Sequence, residues 1–376
     1  MRTLRKIAFL LEEFSASSRS PSAAQHLLDR FLMGYPRDGQ FHQPEVEEVS
    51  AYLLLTSEDS FGERHNDFGL KMAGTAEQAV EGADAVVIVS RPPGALANDS
   101  FLQTTLRHAA EGTACFVHGA LSSTLEKAMV SIKLADSRRI SLLAGTPSGV
   151  TWRLPEVELP PGTLLTESLI VVQRNPFGSQ GTLPGAESHA LEGLLPIIER
   201  RQGGESGVRS LRFLEGKDVW RAGDKRLWSW PLLASALSRS DSPQGDPVLD
   251  GRTQDLVGLG LVPKLARNPV AWLIEHQDGL RTTILVLDGV VADCNFAVRA
   301  RDGRVFSAQL FRAPPPAEHH FSRLTATIED FFRNGKPPWP VQRNVLIAGL
   351  LEAFRKPATR GGKTVSTPEL KVAYTV

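Results

Sequence analysis

The chain has 376 residues, of which 41% are hydrophobic and 22% charged, a balance typical of a globular protein long enough for two domains. The 42 Lys and Arg residues equal the 42 Asp and Glu residues in number. Because a polyanion partner requires an excess of cations on one surface, this zero formal net charge argues against nucleic-acid binding. It leaves a small anionic ligand open.

The cysteines and the N-terminal segment argue against further classes. Cys115 and Cys294 lie far apart in the sequence, so they form neither a metal site nor a disulfide framework, and buried reduced thiols are expected. The apolar run at residues 7–11 is too short for a signal-peptide core or a membrane span, and it predicts a first β-strand. We therefore expect a cytoplasmic protein that does not contact a membrane.

The first 145 residues alternate short apolar segments with helical patterns. The predicted strands, apolar as expected of strands buried on both faces, are residues 6–11, 46–55, 85–90, 114–117 and 141–144. The predicted helices are residues 21–33, 75–81, 99–111 and 122–137. Thr75 and Gln78 have the spacing of a capping box at the start of one of them. This alternation predicts an α/β domain with a Rossmann-like, doubly wound parallel sheet.

The pattern changes after Gly145, where a segment rich in proline and glycine indicates a crossing between domains. Strands are then predicted at residues 164–173, 208–214, 271–276, 281–288, 294–300 and 305–311, and helices at 189–202, 231–238 and 321–333. These elements predict an α+β domain, an open-faced antiparallel sheet with helices on one side. We therefore predict one domain at residues 1–146 and another at 147–376, whose closing helix at 341–356 is expected to pack back on the first.

Four segments carry a resemblance to a known family, in the order in which that family has them. They are Asp84-Ala-Val-Val-Ile-Val-Ser-Arg-Pro-Pro93, then 116–128 (FVHGALSSTLEKA), then 185–192 (GAESHALE), and finally 335–340 (GKPPWP) with 360–365 (RGGKTV). The chain resembles the glucose–fructose oxidoreductase / inositol dehydrogenase (Gfo/Idh/MocA) family as a divergent member. The resemblance implies an NAD- or NADP-dependent oxidoreductase acting on a sugar or polyol. It also implies a homodimer or homotetramer formed through the apolar outer face of the second sheet.

The segment that would bind the cofactor's pyrophosphate departs from the family's glycine-rich turn. No glycine precedes Gly34, and Glu12 and Glu13 stand where the anion would arrive. Ser15, Ser17 and Arg19 offer an alternative anion-binding loop at a helix N-terminus, although a helix cap with a solvated arginine explains them equally simply.

Other cofactor contacts are implied with varying strength. Glu58 or Asp59 is placed to bind the adenosine ribose, although both also suit a surface turn. Ser90, Arg91 and Pro92 match the family's turn under the nicotinamide. With the glycines missing, we expect NAD or NADP binding in the usual mode to be weak or absent.

The catalytic positions are also altered. The resemblance aligns Gly119 with the family's catalytic lysine, and glycine cannot transfer a proton. His118, beside it, titrates near neutrality and is either an acid–base group or a strand-end histidine bonded to the backbone. His189 matches the family's acid–base histidine, and Glu192, three residues later on the same helical face, matches its orienting acid.

No metal site is predicted, because His319 and His320 are adjacent in sequence and no cysteine or carboxylate cluster joins them. Three functions remain open. The resemblance favours a sugar or polyol oxidoreductase with an altered cofactor loop. The missing glycines and lysine together argue against that function. The second alternative is a non-redox enzyme that abstracts a proton from a keto-sugar or glycoside. The third alternative is a catalytically silent binding or scaffolding protein.

Overall fold

The computed structural model describes residues 3–14, 21–55, 58–90, 96–174, 185–242 and 255–376, with the side chains of 58–61, 96 and 97 outside the description. The strands are β1 (Leu4–Glu13), β2 (Tyr35–Arg37), β3 (Gln40–His42), β4 (Val46–Leu55), β5 (Lys71–Met72), β6 (Ala85–Val89), β7 (Ala114–His118), β8 (Ser141–Gly145), β9 (Arg153–Leu154), β10 (Leu165–Val172), β11 (Val208–Glu215), β12 (Arg267–His276), β13 (Arg281–Asp288), β14 (Asn295–Ala300), β15 (Val305–Leu310) and β16 (Thr364–Ser366). The helices are α1 (Ala23–Met33), α2 (Glu58–Phe68), α3 (Ala76–Val80), α4 (Leu96–His108), α5 (Leu125–Ser137), α6 (Gly185–Ile198), α7 (Lys217–Asp224), α8 (Trp230–Leu237), α9 (Val262–Leu265), α10 (His320–Asn334) and α11 (Gln342–Arg355).

The chain divides into two compact units. The first comprises Met1–Val150 and Arg312–Ala348, and the second comprises Thr151–Phe311 and Gly349–Val376. The division differs from the predicted boundary at residue 146 because the chain returns to the first unit after β15. Helix α11 spans the division, with its residues up to Ala348 in the first unit.

The first unit contains a six-stranded parallel sheet in the order β5-β4-β1-β6-β7-β8. This is the doubly wound arrangement predicted from the sequence. Strand β6 is buried along its whole length, as its unbroken apolar sequence requires. The predicted cap at Thr75 is confirmed, because its side chain accepts a hydrogen bond from the amide of Gln78.

Helix α10 completes the hydrophobic core of the first unit. Leu324, Ile328 and Phe332 recur at helical spacing and pack in the same buried cluster as Phe9 of β1 and Phe31 of α1. This apolar stripe explains why a helix so late in the chain belongs to the first unit.

The second unit contains an eight-stranded sheet in the order β16-β11-β12-β13-β10-β14-β15-β9, in which only the β10–β13 pair is parallel. One face, which includes Leu169 and Leu285, packs against α7 and α8. On the opposite face Trp272 donates a hydrogen bond to Glu187 of α6 and stacks on Phe354 of α11.

The second sheet therefore differs from the prediction in one respect. Helices cover both of its faces, whereas an open face was expected. The segment between β11 and β12 forms α7 and α8, whose apolar side chains bury the face that was expected to remain free. The predicted homodimer or homotetramer rested on that free face. Within the described residues, no helix is long and apolar enough to cross a membrane.

Candidate functional site at the carboxyl edge of the parallel sheet

Three adjacent strands of the first unit end side by side. The pairs Ile88–Val117 and His118–Gly145 fix the register of β6, β7 and β8. Continued past the strand ends, this register aligns Ser90, Gly119 and Thr146 across the edge of the sheet. We call these three positions the strand-end row. In doubly wound folds, ligands bind outside the carboxyl ends of the strands, which is where this row lies.

The middle position of the row leaves open space. Gly119 has a φ of +88°, and no described atom lies within 4 Å of the point where a Cβ would stand. A lysine at this position would adopt a backbone conformation that L-residues with a side chain rarely take. The backbone conformation at this position is therefore suited to glycine.

Both neighbours of Gly119 present polar atoms that need partners. The Ser90 and Thr146 side chains are only 8% and 4% exposed. Among the described residues, neither hydroxyl has a hydrogen-bond partner. Buried polar groups in folded proteins are nearly always hydrogen-bonded to protein, water or ligand. These two hydroxyls therefore indicate a binding position for a water molecule or a polar ligand.

His118 ends β7 immediately before Gly119, and its Nε2 atom is buried without a hydrogen-bond partner among the described residues. The imidazole stacks at 6.2 Å from the Phe321 ring. Burial, together with nearby His26, lowers the pKa of His118 to about 4. At neutral pH the ring is therefore uncharged, so it can accept or donate one hydrogen bond without bringing charge to the row.

Two residues at the start of α4 hold the segment that follows β7. The Asn98 amide lies 3.5 Å from the carbonyl oxygens of His118 and of Ala120, and its own Oδ1 is buried without a partner in the described structure. The Asp99 carboxylate accepts hydrogen bonds from the amide of Ser123 at 3.2 Å and from the Lys127 ammonium at 2.9 Å. Asn98 and Asp99 thus fix the backbone around Gly119.

A buried charged cluster borders His118. The carboxylate of Glu318 lies 3.3 Å from His26 Nε2 and 3.4 Å from His320 Nε2. Although burial opposes ionisation, the two imidazoles keep the pKa of Glu318 well below its usual value. Arg30 contacts the Nδ1 atom of His26 at 3.0 Å. This cluster fixes the approach of α10 to α1.

The described residues beside the junction between β1 and α1 contact one another. Phe14, directly after β1, is fully buried, and the Arg64 guanidinium lies 5.0 Å above its ring. Arg64 also makes two hydrogen bonds to the carboxylate of Asp29, at 2.8 and 2.9 Å. The Ser22 hydroxyl accepts from the Gln25 amide, so one of the amides that α1 could offer a phosphate is already bonded.

The predicted cofactor contacts are only partly placed. Ser90 lies in the strand-end row. Ser15, Ser17, Arg19, Arg91 and Pro92 lie outside the described residues, and Glu58 begins α2 with its side chain outside the description.

The predicted acid–base pair lies in the second unit. His189 and Glu192 both belong to α6, three residues apart, a spacing that puts them on neighbouring positions of one helical face. Glu192 is buried, whereas His189 is half-buried. His118 belongs to the first unit. In the part of the chain that the structure describes, no group of three His, Cys, Asp or Glu residues could hold a metal ion.

Thr146 and Asn98 were not predicted from the sequence. The signal that could have found Thr146 is its position, since it is the first polar residue after a strand buried on both faces. The carboxyl ends of parallel strands meet at one edge, so such residues come together. The contacts of Glu318 had no such signal, because its partner His26 lies in a distant part of the chain.

No protein-family model matches the sequence, and the search of curated proteins gives no match. Solved structures do match over nearly the whole chain. The myo-inositol dehydrogenase of Lactobacillus casei, in complex with NAD(H) and myo-inositol, has a TM-score of 0.59 at 12% identity, covering 97% of each chain. GenD2 from gentamicin A biosynthesis, in complex with NAD, has a TM-score of 0.58 at 13% identity, covering 98% of each.

A further matching structure is an enzyme that binds a different kind of ligand. The biliverdin reductase of Synechocystis, in complex with biliverdin and NADP+, has a TM-score of 0.52 at 13% identity and covers 95% of this chain and 99% of that one. At such identities the likeness concerns the fold. The chain therefore shares its fold with the myo-inositol dehydrogenase, GenD2 and the biliverdin reductase.

Proposed function

We propose that the protein is an enzyme for a small uncharged sugar or polyol, which it binds at the strand-end row of the first unit. The observation that carries this proposal is the pair of buried, unpartnered hydroxyls of Ser90 and Thr146 on either side of the open space at Gly119. With neighbouring strands about 4.8 Å apart, the two hydroxyls are separated by roughly 10 Å, a span that one sugar ring can bridge.

The chemistry of the row favours a neutral ligand. Serine and threonine hydroxyls both donate and accept hydrogen bonds, and so do the hydroxyls of a polyol. His118 is uncharged at neutral pH because burial lowers its pKa to about 4. The Lys127 ammonium nearby is bonded to Asp99. Within the described residues of the row, a carboxylate or phosphate would lose its hydration without gaining an unpaired cation in return.

The residues have separate roles in this proposal. Ser90 and Thr146 hold ligand hydroxyls, and the His118 imidazole accepts or donates one further hydrogen bond. Asn98 and Asp99 are positioning residues, because they act through the backbone around Gly119. His189 with Glu192 is the proposed acid–base pair of the second unit, in which the Glu192 carboxylate would orient the imidazole.

A second candidate is a sugar or polyol oxidoreductase that binds NAD or NADP through residues 15–20. It is favoured by the likeness to an inositol dehydrogenase with NAD(H) bound, which extends over 97% of both chains. Titration of the protein with NADH and NADPH, followed by fluorescence, decides it. Absence of binding at millimolar cofactor would exclude it.

The main proposal is tested by thermal shift with a panel of inositols, neutral sugars, sugar acids and sugar phosphates. We expect a neutral polyol or sugar to raise the melting temperature of the wild-type protein. The shift should disappear in Ser90→Ala and Thr146→Val. It should persist in Ser137→Ala and Thr327→Val, whose hydroxyls bond only to carbonyls of their own helices.

Two outcomes would contradict the proposal. One is a panel in which no neutral compound raises the melting temperature of the protein. The other is a ligand shift that survives both row variants, because the ligand would then bind elsewhere. The same panel on His189→Ala tests whether the proposed acid–base pair takes part in ligand binding, as the enzyme requires and a silent binding protein does not.

A further inference from the structure

The turn after the first strand determines whether a Rossmann-like domain can bind a dinucleotide. A pyrophosphate needs a tight turn from the first strand into the first helix, a backbone bare enough to approach, and free amides at the helix N-terminus. Here β1 ends at Glu13 and α1 begins at Ala23, and none of the residues between them in the sequence is glycine. The sequence therefore lacks the glycines that allow a tight turn and a bare backbone.

Side chains of the first unit fill the start of this connection. The Phe14 ring is fully buried in the same core cluster as Leu27 and Leu28 of α1. Over the ring lies the guanidinium of Arg64, which is 8% exposed and forms a two-bond ion pair with Asp29. Such a bidentate ion pair fixes the orientation of the guanidinium relative to the carboxylate, and the aromatic ring below the guanidinium adds a cation–π contact. We call Phe14, Arg64 and Asp29 the junction cluster.

The electrostatics of the junction also oppose an anion. Strand β1 ends in Glu12 and Glu13, and at the other end of the connection the Ser22 hydroxyl caps the amide of Gln25. Arg64, the described cation at this place, is already neutralised by Asp29. To gain a cation from the junction cluster, an incoming pyrophosphate would have to break the Arg64–Asp29 pair.

We infer that the junction cluster has replaced the dinucleotide site of this fold, so that the strand-end row takes its ligand without NAD or NADP. The junction cluster is then a structural joint that fixes α1 and α2 to the sheet. The inference rests on the proposed function only in naming the ligand of the row. It excludes a dinucleotide hydride acceptor bound at this junction.

The test combines two measurements on the same preparation of the full chain. NADH and NADPH fluorescence titrations are expected to show no saturable binding at millimolar cofactor. The polyol panel is expected to retain its thermal shift in the absence of any nucleotide. If no polyol shifts the protein and no cofactor binds, the proposed function fails but the inference stands.

The inference is overturned by saturable NADH or NADPH binding that the double variant Ser17→Ala/Arg19→Ala abolishes, because the connection would then hold the cofactor. Saturable binding that survives this double variant but lowers the hydrogen–deuterium exchange of residues 14–26 would overturn it equally. The variant Arg64→Leu gives an independent readout. We expect it to lower the melting temperature and to leave the polyol shift intact, as a structural joint requires.

Discussion

The amide nitrogen of Gly119 donates a hydrogen bond of 2.9 Å to the carbonyl oxygen of Gly145, which continues the ladder between β7 and β8 by one step beyond the last residue of β7. This bond keeps Gly119 in line with Thr146, although its φ of +88° departs from the strand conformation. The open space of the row therefore follows from a backbone position that is fixed on one side by the sheet.

Gly119→Ala tests that open space against a matched glycine. Gly112, at the opposite end of β7, has a φ of +82°, and a Cβ placed on it would likewise meet no described atom within 4 Å. Both alanine variants should lose about 1–2 kcal/mol of unfolding free energy, since both place an L-residue at positive φ. Only Gly119→Ala should also weaken the polyol thermal shift. Equal ligand responses in the two variants would remove Gly119 from the binding site.

The pH dependence of stability tests the state of His118. Its pKa lies near 4 in the folded protein, against 6.5 for a histidine in its ordinary state, so above pH 6.5 it makes no difference to stability. Below that pH the unfolded chain binds a proton that the folded chain does not bind until pH 4. The free energy of unfolding should therefore fall by about 1.4 kcal/mol per pH unit, in total about 3 kcal/mol, as the pH is lowered through this window.

The measurement is the difference between wild type and His118→Gln in denaturant unfolding between pH 4 and pH 7. We expect the wild type to show the steeper loss at acid pH, and NMR of the His118 ring to show titration near pH 4. A ring that titrates near 6.5 would mean that His118 is solvated and carries charge in the physiological range.

Arg64 and Arg304 each lie over an aromatic ring, but their replacement should have unequal effects on the stability of the protein. Arg64 is buried and paired with Asp29, whereas Arg304 lies 5.6 Å from the Phe306 ring with its side chain 60% exposed. Arg64→Leu leaves the Asp29 carboxylate without its partner and should cost about 2–4 kcal/mol, while Arg304→Leu should cost less than about 1 kcal/mol. Equal losses in urea unfolding would show that the Arg64–Asp29 pair does not stabilise the joint.

The second unit has a buried ion-pair network that should dominate its stability. The Glu205 carboxylate contacts Arg201 at 3.0 Å and His276 Nδ1 at 2.8 Å. Against the effect of burial, His276 and Arg201 lower the pKa of Glu205 to about 2. Glu205→Gln leaves Arg201 buried beside a neutral group, and we expect a loss of about 3–5 kcal/mol.

Glu275→Gln is the matched control, because its ion pair with Arg209 is half-exposed and should be worth less than about 1 kcal/mol. Chemical denaturation followed by tryptophan fluorescence compares the two variants. If the Glu205→Gln protein is as stable as the Glu275→Gln protein, the buried network does not make the expected contribution to the free energy of unfolding.

Much of the first unit could be predicted from the sequence, because strands buried on both faces are unbroken apolar runs and helix caps are local. The five main strands of the parallel sheet and the cap at Thr75 were found in this way. Leu324, Ile328 and Phe332 gave α10 a clear helical pattern. A pattern within one helix does not say which sheet it covers, so its place in the first unit was not predicted.

The site was less predictable for a related reason. His118 and Ser90 were selected through the family resemblance, while Thr146 became visible only when the register put it beside Gly119. The packing of α7 and α8 on the second sheet was not predicted, because the segment between β11 and β12 has ordinary helical patterns that do not show which face it covers. Only the packing of α8 on Leu169 and Leu285 reveals that it buries the face that the resemblance implied to be free.

The most direct test of the account is a crystal structure of the protein with the neutral polyol or sugar that gives the largest thermal shift, grown without nucleotide. We expect ligand hydroxyls within hydrogen-bond distance of Ser90 Oγ and Thr146 Oγ1, with the ligand over Gly119. A ligand bound elsewhere, with ordered water alone on both hydroxyls, would contradict it.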